Sequence, residues 1–107
     1  MSAITTHVLD TTQGCPAHDV PVRLEREGQV LAEATTDTDG RVRDLGPQEV
    51  PAGTYRLVFD TASYFESIGR QGFFPEVTIT FTITDPAQHH HVPLLLSPYG
   101  YSTYRGS

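Results

Sequence analysis

Lysine is absent from this 107-residue chain and cysteine occurs once. Without lysine there is no Schiff-base chemistry and no phosphate-binding Walker loop. The seven basic residues are all arginines. Any cationic contact to a small molecule therefore comes from a guanidinium, whose planar fork suits carbonyl-rich groups. The lone Cys15 excludes an intrachain disulfide and fits a reducing, cytoplasmic setting. It sits in a Gly14-Cys15-Pro16 turn with no base beside it, and no Gly-x-Ser-x-Gly elbow occurs. Nucleophilic catalysis thus has little support. No apolar run approaches the roughly 18 residues that would span a membrane. Met1 to His7 lack a basic segment followed by an apolar one, so no secretory leader is expected. The ending Arg105-Gly106-Ser107 is not a peroxisomal address. Thirteen acidic residues against seven basic ones give a net charge of −6, which argues against nucleic acid and anionic membrane as partners.

What the chain does have is period-2 alternation. In Glu76 to Thr84, Val77, Ile79, Phe81 and Ile83 take one face and threonines the other. Val20, Val22 and Leu24 alternate with Pro21, Arg23 and Glu25, and Tyr55, Leu57 and Phe59 with Arg56, Val58 and Asp60. Gln29 to Thr36 and Arg41 to Leu45 are weaker strands. Turn residues separate them at Glu27-Gly28, Asp37-Thr38-Asp39-Gly40, Pro51-Ala52-Gly53 and Asp85-Pro86. Thr61 to Gly69 breaks the alternation and reads as a short helix, capped by Thr61 or Ser63, with Tyr64, Phe65 and Ile68 buried. The pattern predicts one all-β domain over residues 1–107, an antiparallel β-sandwich of seven to eight strands with one short helix.

Three places carry polar groups that a plain sandwich does not need. If Ile4 and Val8 face the core, His7 points outward with Thr5 and Leu9; a solvated surface histidine is the plain alternative. Arg41 follows the Asp39-Gly40 turn and has an equally plain reading as a charged residue after a hairpin. In His89-His90-His91, alternation sets His90 with Val92, Leu94 and Leu96 toward the core. His91, Pro93 and Leu95 then point outward, and such an apolar stripe beside a histidine marks a partner subunit or a ligand groove. His91 is a candidate base or metal ligand. His89 and His91 could share zinc, but no third ligand of suitable spacing accompanies them. Histidine as a base for water is the better chemistry. The final Tyr104-Arg105-Gly106-Ser107 follows a strand, a turn and a second strand, and reads as part of the fold rather than as a tail.

The same residues carry a resemblance. Thr6-His7-Val8-Leu9-Asp10, Thr38-Asp39-Gly40-Arg41 and His89 through Ser107, which includes Val92-Pro93-Leu94-Leu95-Leu96-Ser97-Pro98-Tyr99, resemble the signatures of the transthyretin-related 5-hydroxyisourate hydrolases. The likeness runs from about Ile4 to Ser107. It implies a transthyretin-like sandwich assembled as a homotetramer, a dimer of dimers, with a channel between the dimers. It implies hydrolysis of 5-hydroxyisourate at the C6 carbonyl, cleaving N1–C6 to give 2-oxo-4-hydroxy-4-carboxy-5-ureidoimidazoline. His7, Arg41 and His91 fall on the family's catalytic positions, and Tyr104 and Ser107 on its terminal motif, where they would hold the substrate. No metal or organic cofactor is implied. His90 departs from the tyrosine most frequent there. The hormone-carrying transthyretins share the sandwich but lack the two histidines, the arginine and the terminal Tyr-Arg-Gly-Ser; a non-catalytic small-ligand carrier is the alternative reading.

Overall fold

A computed structural model describes residues 2–106. The elements follow in the order β1 (Ile4–Asp10), β2 (Cys15–Pro16), β3 (Pro21–Arg26), β4 (Gln29–Thr35), β5 (Arg41–Val42), β6 (Gly53–Phe59), α1 (Thr61–Ser67), β7 (Val77–Ile83), β8 (His90–Ser97) and β9 (Gly100–Thr103). One sheet runs β2-β1-β8-β9, with β5 also paired to β1; the other runs β4-β3-β6-β7. The expected two-sheet architecture with one short helix is present. Two of the nine strands among the described residues, β2 and β5, are only two residues long. So short a segment has no period, which is why alternation suggests seven or eight.

One pairing departs from the antiparallel expectation. β1 and β8 run parallel, from Ile4 opposite His90 to Asp10 opposite Leu96. Alternation decides which face a side chain takes, not the direction of the neighbouring strand. The register matters for function: Thr5 lies opposite His91, and His7 opposite Pro93.

The faces sort by alternation. Ile4, Thr6, Val8 and Asp10 are buried, while His7 and Leu9 are half-buried on the other face. On β8, Val92, Leu94 and Leu96 join one core with Leu24, Tyr55, Leu57, Phe59 and Val77 of the second sheet. Each such side chain contributes roughly 1.5–3 kcal/mol on burial, so the opposite face of β1 and β8 is free for polar chemistry. His90 is buried on the core side, as its register requires. Pro93 differs from expectation: it is buried, and only Leu95 is half-open. β8 is a central strand between β1 and β9, and neighbours on both sides cover a compact proline ring.

The helix cap also differs from expectation. Asp60, not Thr61 or Ser63, is the N-cap, and its carboxylate accepts the Ser63 amide at 3.0 Å. Tyr64 and Phe65 are buried as expected. The Tyr64 hydroxyl donates to Asp10 Oδ2 at 2.7 Å, while Asp10 Oδ1 accepts the Thr12 and Gln13 amides, each at 3.0 Å. Burial and then the bond to Asp10 push the Tyr64 phenol well up. This tie fixes the end of β1 against the helix.

Candidate active site

Arg41 is placed by its turn. The Asp37 amide donates to the Arg41 carbonyl at 3.0 Å, and the Gly40 amide to the Asp37 carbonyl at 2.9 Å. Asp37 Oδ1 accepts both the Asp39 and Arg41 amides at 2.9 Å. Its bond from the Arg41 amide is the main reason the Asp37 carboxyl is held below the usual carboxylate range. Gly40 has φ 75°, and a Cβ there would stand 2.4 Å from the Val8 carbonyl oxygen. Only glycine lets the turn close on β1, where the Val8 amide donates to the Gly40 carbonyl at 2.7 Å. The next outward residue, Arg43, donates to Asp37 Oδ2 at 2.9 Å. Among the described residues the Arg41 guanidinium has no hydrogen-bond or ion-pair partner, and it lines an open groove of about 290 Å3.

The sheet brings three of the expected residues together. Arg41 lies opposite His7 across the β5–β1 pair, and His91 opposite Thr5 across β1–β8. Neighbouring strands lie about 4.8 Å apart, and Thr5 and His7 are separated by about 7 Å along one strand. The three groups thus occupy one outward face across three adjacent strands. Arg41 and His91 line the groove with Thr5, Arg43 and His89; His7 borders it through its pairing with Arg41.

Hydrogen bonds orient both histidines. His7 Nε2 lies 2.8 Å from the Asp39 carbonyl oxygen. A carbonyl only accepts, so Nε2 carries a proton, and in the neutral ring it is Nδ1 that holds the lone pair. His91 Nδ1 lies 2.8 Å from the Thr5 hydroxyl, which leaves Nε2 for the groove. Burial, followed by the charge of Arg41 and then by His7 and His89, lowers the His91 pKa below the usual histidine value. The ring is therefore neutral at pH 7 and able to accept a proton.

The end of the chain reaches this site by one residue among those described. The Gly106 amide donates to the His91 carbonyl at 2.8 Å, forming a bridge to β8. Tyr104 does not join the groove: it is exposed and lines a separate recess of about 330 Å3 with Phe81, His90 and Val92. Ser107 lies outside the described residues. Three groups of the site carried no signal strong enough to single them out in the sequence: Asp37 as an anchor for Arg41, Arg43 in the groove, and Thr5 beneath His91. Thr5 precedes His7 by two and so shares its face, the one cue available.

Among the described residues no cluster of three or more His, Cys, Asp or Glu could hold a metal ion. His89 and His91 instead share the Thr5 hydroxyl. A somewhat larger recess, about 360 Å3, lies on the other sheet beside Arg23, Glu33 and Asp60. Its arginine is engaged by Glu25 and Glu76, and it contains no histidine, so it lacks the chemistry of the β1–β5–β8 face.

The profile of the HIUase/Transthyretin family matches residues 4–106. A 5-hydroxyisourate hydrolase of Mus musculus is 46% identical, covering 99% of this chain and 96% of its own length. One of Caulobacter vibrioides is 46% identical over the whole of both chains. The solved structure of Klebsiella pneumoniae 5-hydroxyisourate hydrolase superposes with a TM-score of 0.91 at 42% identity, covering 100% of this chain and 94% of the other. Sea bream transthyretin in complex with thyroxine superposes at 0.89 with 29% identity, covering 97% of this chain and 94% of its own.

Proposed function

The chain belongs to the HIUase/Transthyretin family, and on that premise we propose that it is a hydrolase that opens 5-hydroxyisourate in urate degradation. The observation that carries this reading is the placement of His7, Arg41 and His91 on one face of three adjacent strands. Hydrolysis of a cyclic amide needs a base for water, a cation for the developing oxyanion, and groups that hold a flat heterocycle. His91 is the base. Its lowered pKa keeps it neutral, and Nε2 takes a proton from water as the oxygen attacks the C6 carbonyl. General-base assistance of this kind is worth roughly 10²–10⁴-fold. Arg41, without another partner among the described residues, stabilises the oxyanion, a contribution of about 2.7–4 kcal/mol for donors of this type. His7 Nδ1 accepts a ring N–H of the substrate. Collapse breaks N1–C6 and gives 2-oxo-4-hydroxy-4-carboxy-5-ureidoimidazoline. Tyr104 stands away from the groove of its own chain, so we assign it, with Ser107, to substrate contacts in a site completed by another copy of the chain. The base and the cation are side chains, so no step is assigned to a metal or an organic cofactor.

On a single chain the groove is open, and Leu9 and Leu95 on the same face are only half-covered. We therefore assign a homotetramer, a dimer of dimers, in which a second sheet face closes the groove and the end of the chain meets the site. Sedimentation at micromolar concentration should report four chains; an active monomer would overturn this assembly. The lone Cys15 suits a cytoplasmic location.

The deciding assay follows the ultraviolet absorbance of freshly made 5-hydroxyisourate with and without protein. Accelerated decay with formation of the ring-opened acid is expected. The carrier reading draws on the likeness to thyroxine-bound transthyretin; it predicts binding with return of the unchanged molecule, and a decay rate equal to the buffer's would favour it.

A further inference from the structure

A single hydroxyl joins two histidines beneath the site. Thr5 Oγ1 lies 2.8 Å from His91 Nδ1 and 2.9 Å from His89 Nε2. Thr5 is buried, whereas His89 is exposed at the mouth of the groove. The geometry follows from register. Thr5 is the residue directly opposite His91 on the parallel strand, and His89, two residues earlier, falls on the same face.

The bonding capacity of these groups orders the chain of contacts. A hydroxyl has one proton to donate and lone pairs to accept. For His91 to offer Nε2 as a base, its Nδ1 must carry the proton and donate to Thr5. The Thr5 proton is then free to point at His89 Nε2. The arrangement reads His91 Nδ1–H to Thr5 Oγ1, and Thr5 O–H to His89 Nε2.

We propose that Thr5 is a positioning residue that sets the tautomer of His91 and links it to His89 as the outlet for the proton released in each turnover. The inference rests on the hydrolytic reading above. Water plus a cyclic amide gives a carboxylic acid and an N–H, and at neutral pH the acid ionises, so one proton per turnover must reach bulk solvent. His91 takes a proton from the attacking water at Nε2 and gives it to N1 as the N1–C6 bond breaks, which leaves His91 neutral with its Nδ1 proton. The carboxylic acid formed at C6 then gives its proton to Nε2. The Nδ1 proton of His91 passes to Thr5 as the Thr5 proton passes to His89 Nε2, and His89 sheds its Nδ1 proton to water. Water has then supplied two protons, one now on N1 and one in bulk, and His91, Thr5 and His89 each keep one. Once the product leaves, His91 releases its Nε2 proton to water in the open groove while His89 regains one at Nδ1 and the chain runs back, which restores the starting tautomers.

The surroundings favour that direction of flow. The titratable or charged groups facing His91 are His7 on β1, Arg41 and Arg43 by way of β5, and His89. Arg105, on the segment packed against His91, is turned to Gln88 Oε1 at 3.0 Å. Cations and burial together disfavour a lasting charge on His91, whereas His89 stands in water.

The test uses Thr5→Val, Thr5→Ser and His89→Gln in the full chain, with kcat measured at low and high imidazole buffer. Wild type and Thr5→Ser should be insensitive to buffer. Thr5→Val and His89→Gln should lose about tenfold or more in kcat at low buffer, with KM little changed, and should recover as imidazole carries the proton instead. His89→Gln lies at an exposed position and reads the relay even if Thr5→Val folds poorly. Nitrogen-15 spectra should show His91 protonated at Nδ1 in wild type. Buffer-insensitive, wild-type kcat in His89→Gln would overturn the relay while leaving the hydrolase reading intact. An Nδ1-unprotonated His91 would overturn it too. A wild-type chain inactive on 5-hydroxyisourate would overturn both.

Discussion

The backbone of Gly106 lies flat against the ring of His91: a Cβ on Gly106 would stand 2.5 Å from His91 Cδ2 and 3.1 Å from Cγ. No side chain fits that space without moving the imidazole, and the neighbouring bond from the Gly106 amide to the His91 carbonyl resists a shift of the backbone. Gly106→Ala is therefore expected to displace His91 and lower kcat by about 100-fold, as misplacement of a reacting group by about 1 Å does. The melting temperature should change little, because few apolar contacts are involved. Initial rates and a thermal melt on the same preparation check it, and wild-type kcat would show that the ring position tolerates the shift.

Loss of any member of the His7, Arg41 and His91 set should be costly to turnover and cheap to folding. His7→Asn, Arg41→Ala and His91→Asn are each expected to reduce kcat/KM by about two orders of magnitude or more. All three side chains are half-buried on the outward face, so circular dichroism should stay native. His90→Tyr is the contrast. His90 faces the core side and borders the recess of about 330 Å3, which gives a larger ring room, so the rate should stay near wild type. Inactive His90→Tyr with active His91→Asn would contradict the register of β8.

The pH profile follows from His91. Its pKa is lowered by burial first and by Arg41 next, so the acid limb of kcat/KM should fall below the ordinary histidine value of about 6.5. Arg41→Met removes a cation, and His91 should then titrate at higher pH than in wild type, which an NMR titration of its ring reads directly. Stability moves in a fixed direction. As pH falls below about 6.5 the unfolded chain protonates this residue before the folded one does. The stability His91 contributes is therefore present above that value and is lost as pH falls toward its native pKa. Melts at about pH 7.5 and about pH 5.5 should show a smaller drop in His91→Asn than in wild type. Equal drops would mean that His91 carries no depressed pKa.

Deleting residues 104–107 should cost activity well before it costs folding. The described part of this segment makes a bridge to His91 and one side-chain bond, Arg105 to Gln88, and its side chains are exposed or half-exposed. Tyr104→Phe separates two possibilities. Tyr104 stands away from the groove of its own chain, so loss of activity in Tyr104→Phe would mean that its hydroxyl serves a site completed by another copy. A fully active deletion would show that the segment has no part in catalysis.

Alternation alone sorted His7 to the outer face and Val92, Leu94 and Leu96 to the core, because a strand's side chains have a strict period of two. Glycine chemistry likewise marked the turn before Arg41, since a positive φ at Gly40 is open to few other residues. Composition excluded lysine chemistry and an intrachain disulfide. These are local properties, and a sequence holds them in full. What only the tertiary structure decided is neighbourhood. That β8 lies parallel beside β1, so that Thr5 meets both His89 and His91, depends on pairing between segments more than eighty residues apart. That Pro93 is covered depends on strands on either side of β8. That Asp60 rather than Thr61 caps the helix depends on where the chain leaves β6. That Tyr104 turns to a recess beside Phe81 while Gly106 returns to His91 depends on how the chain leaves β9. Long-range pairing leaves no period in the chain, so the chemistry of each residue could be read locally and its partners could not.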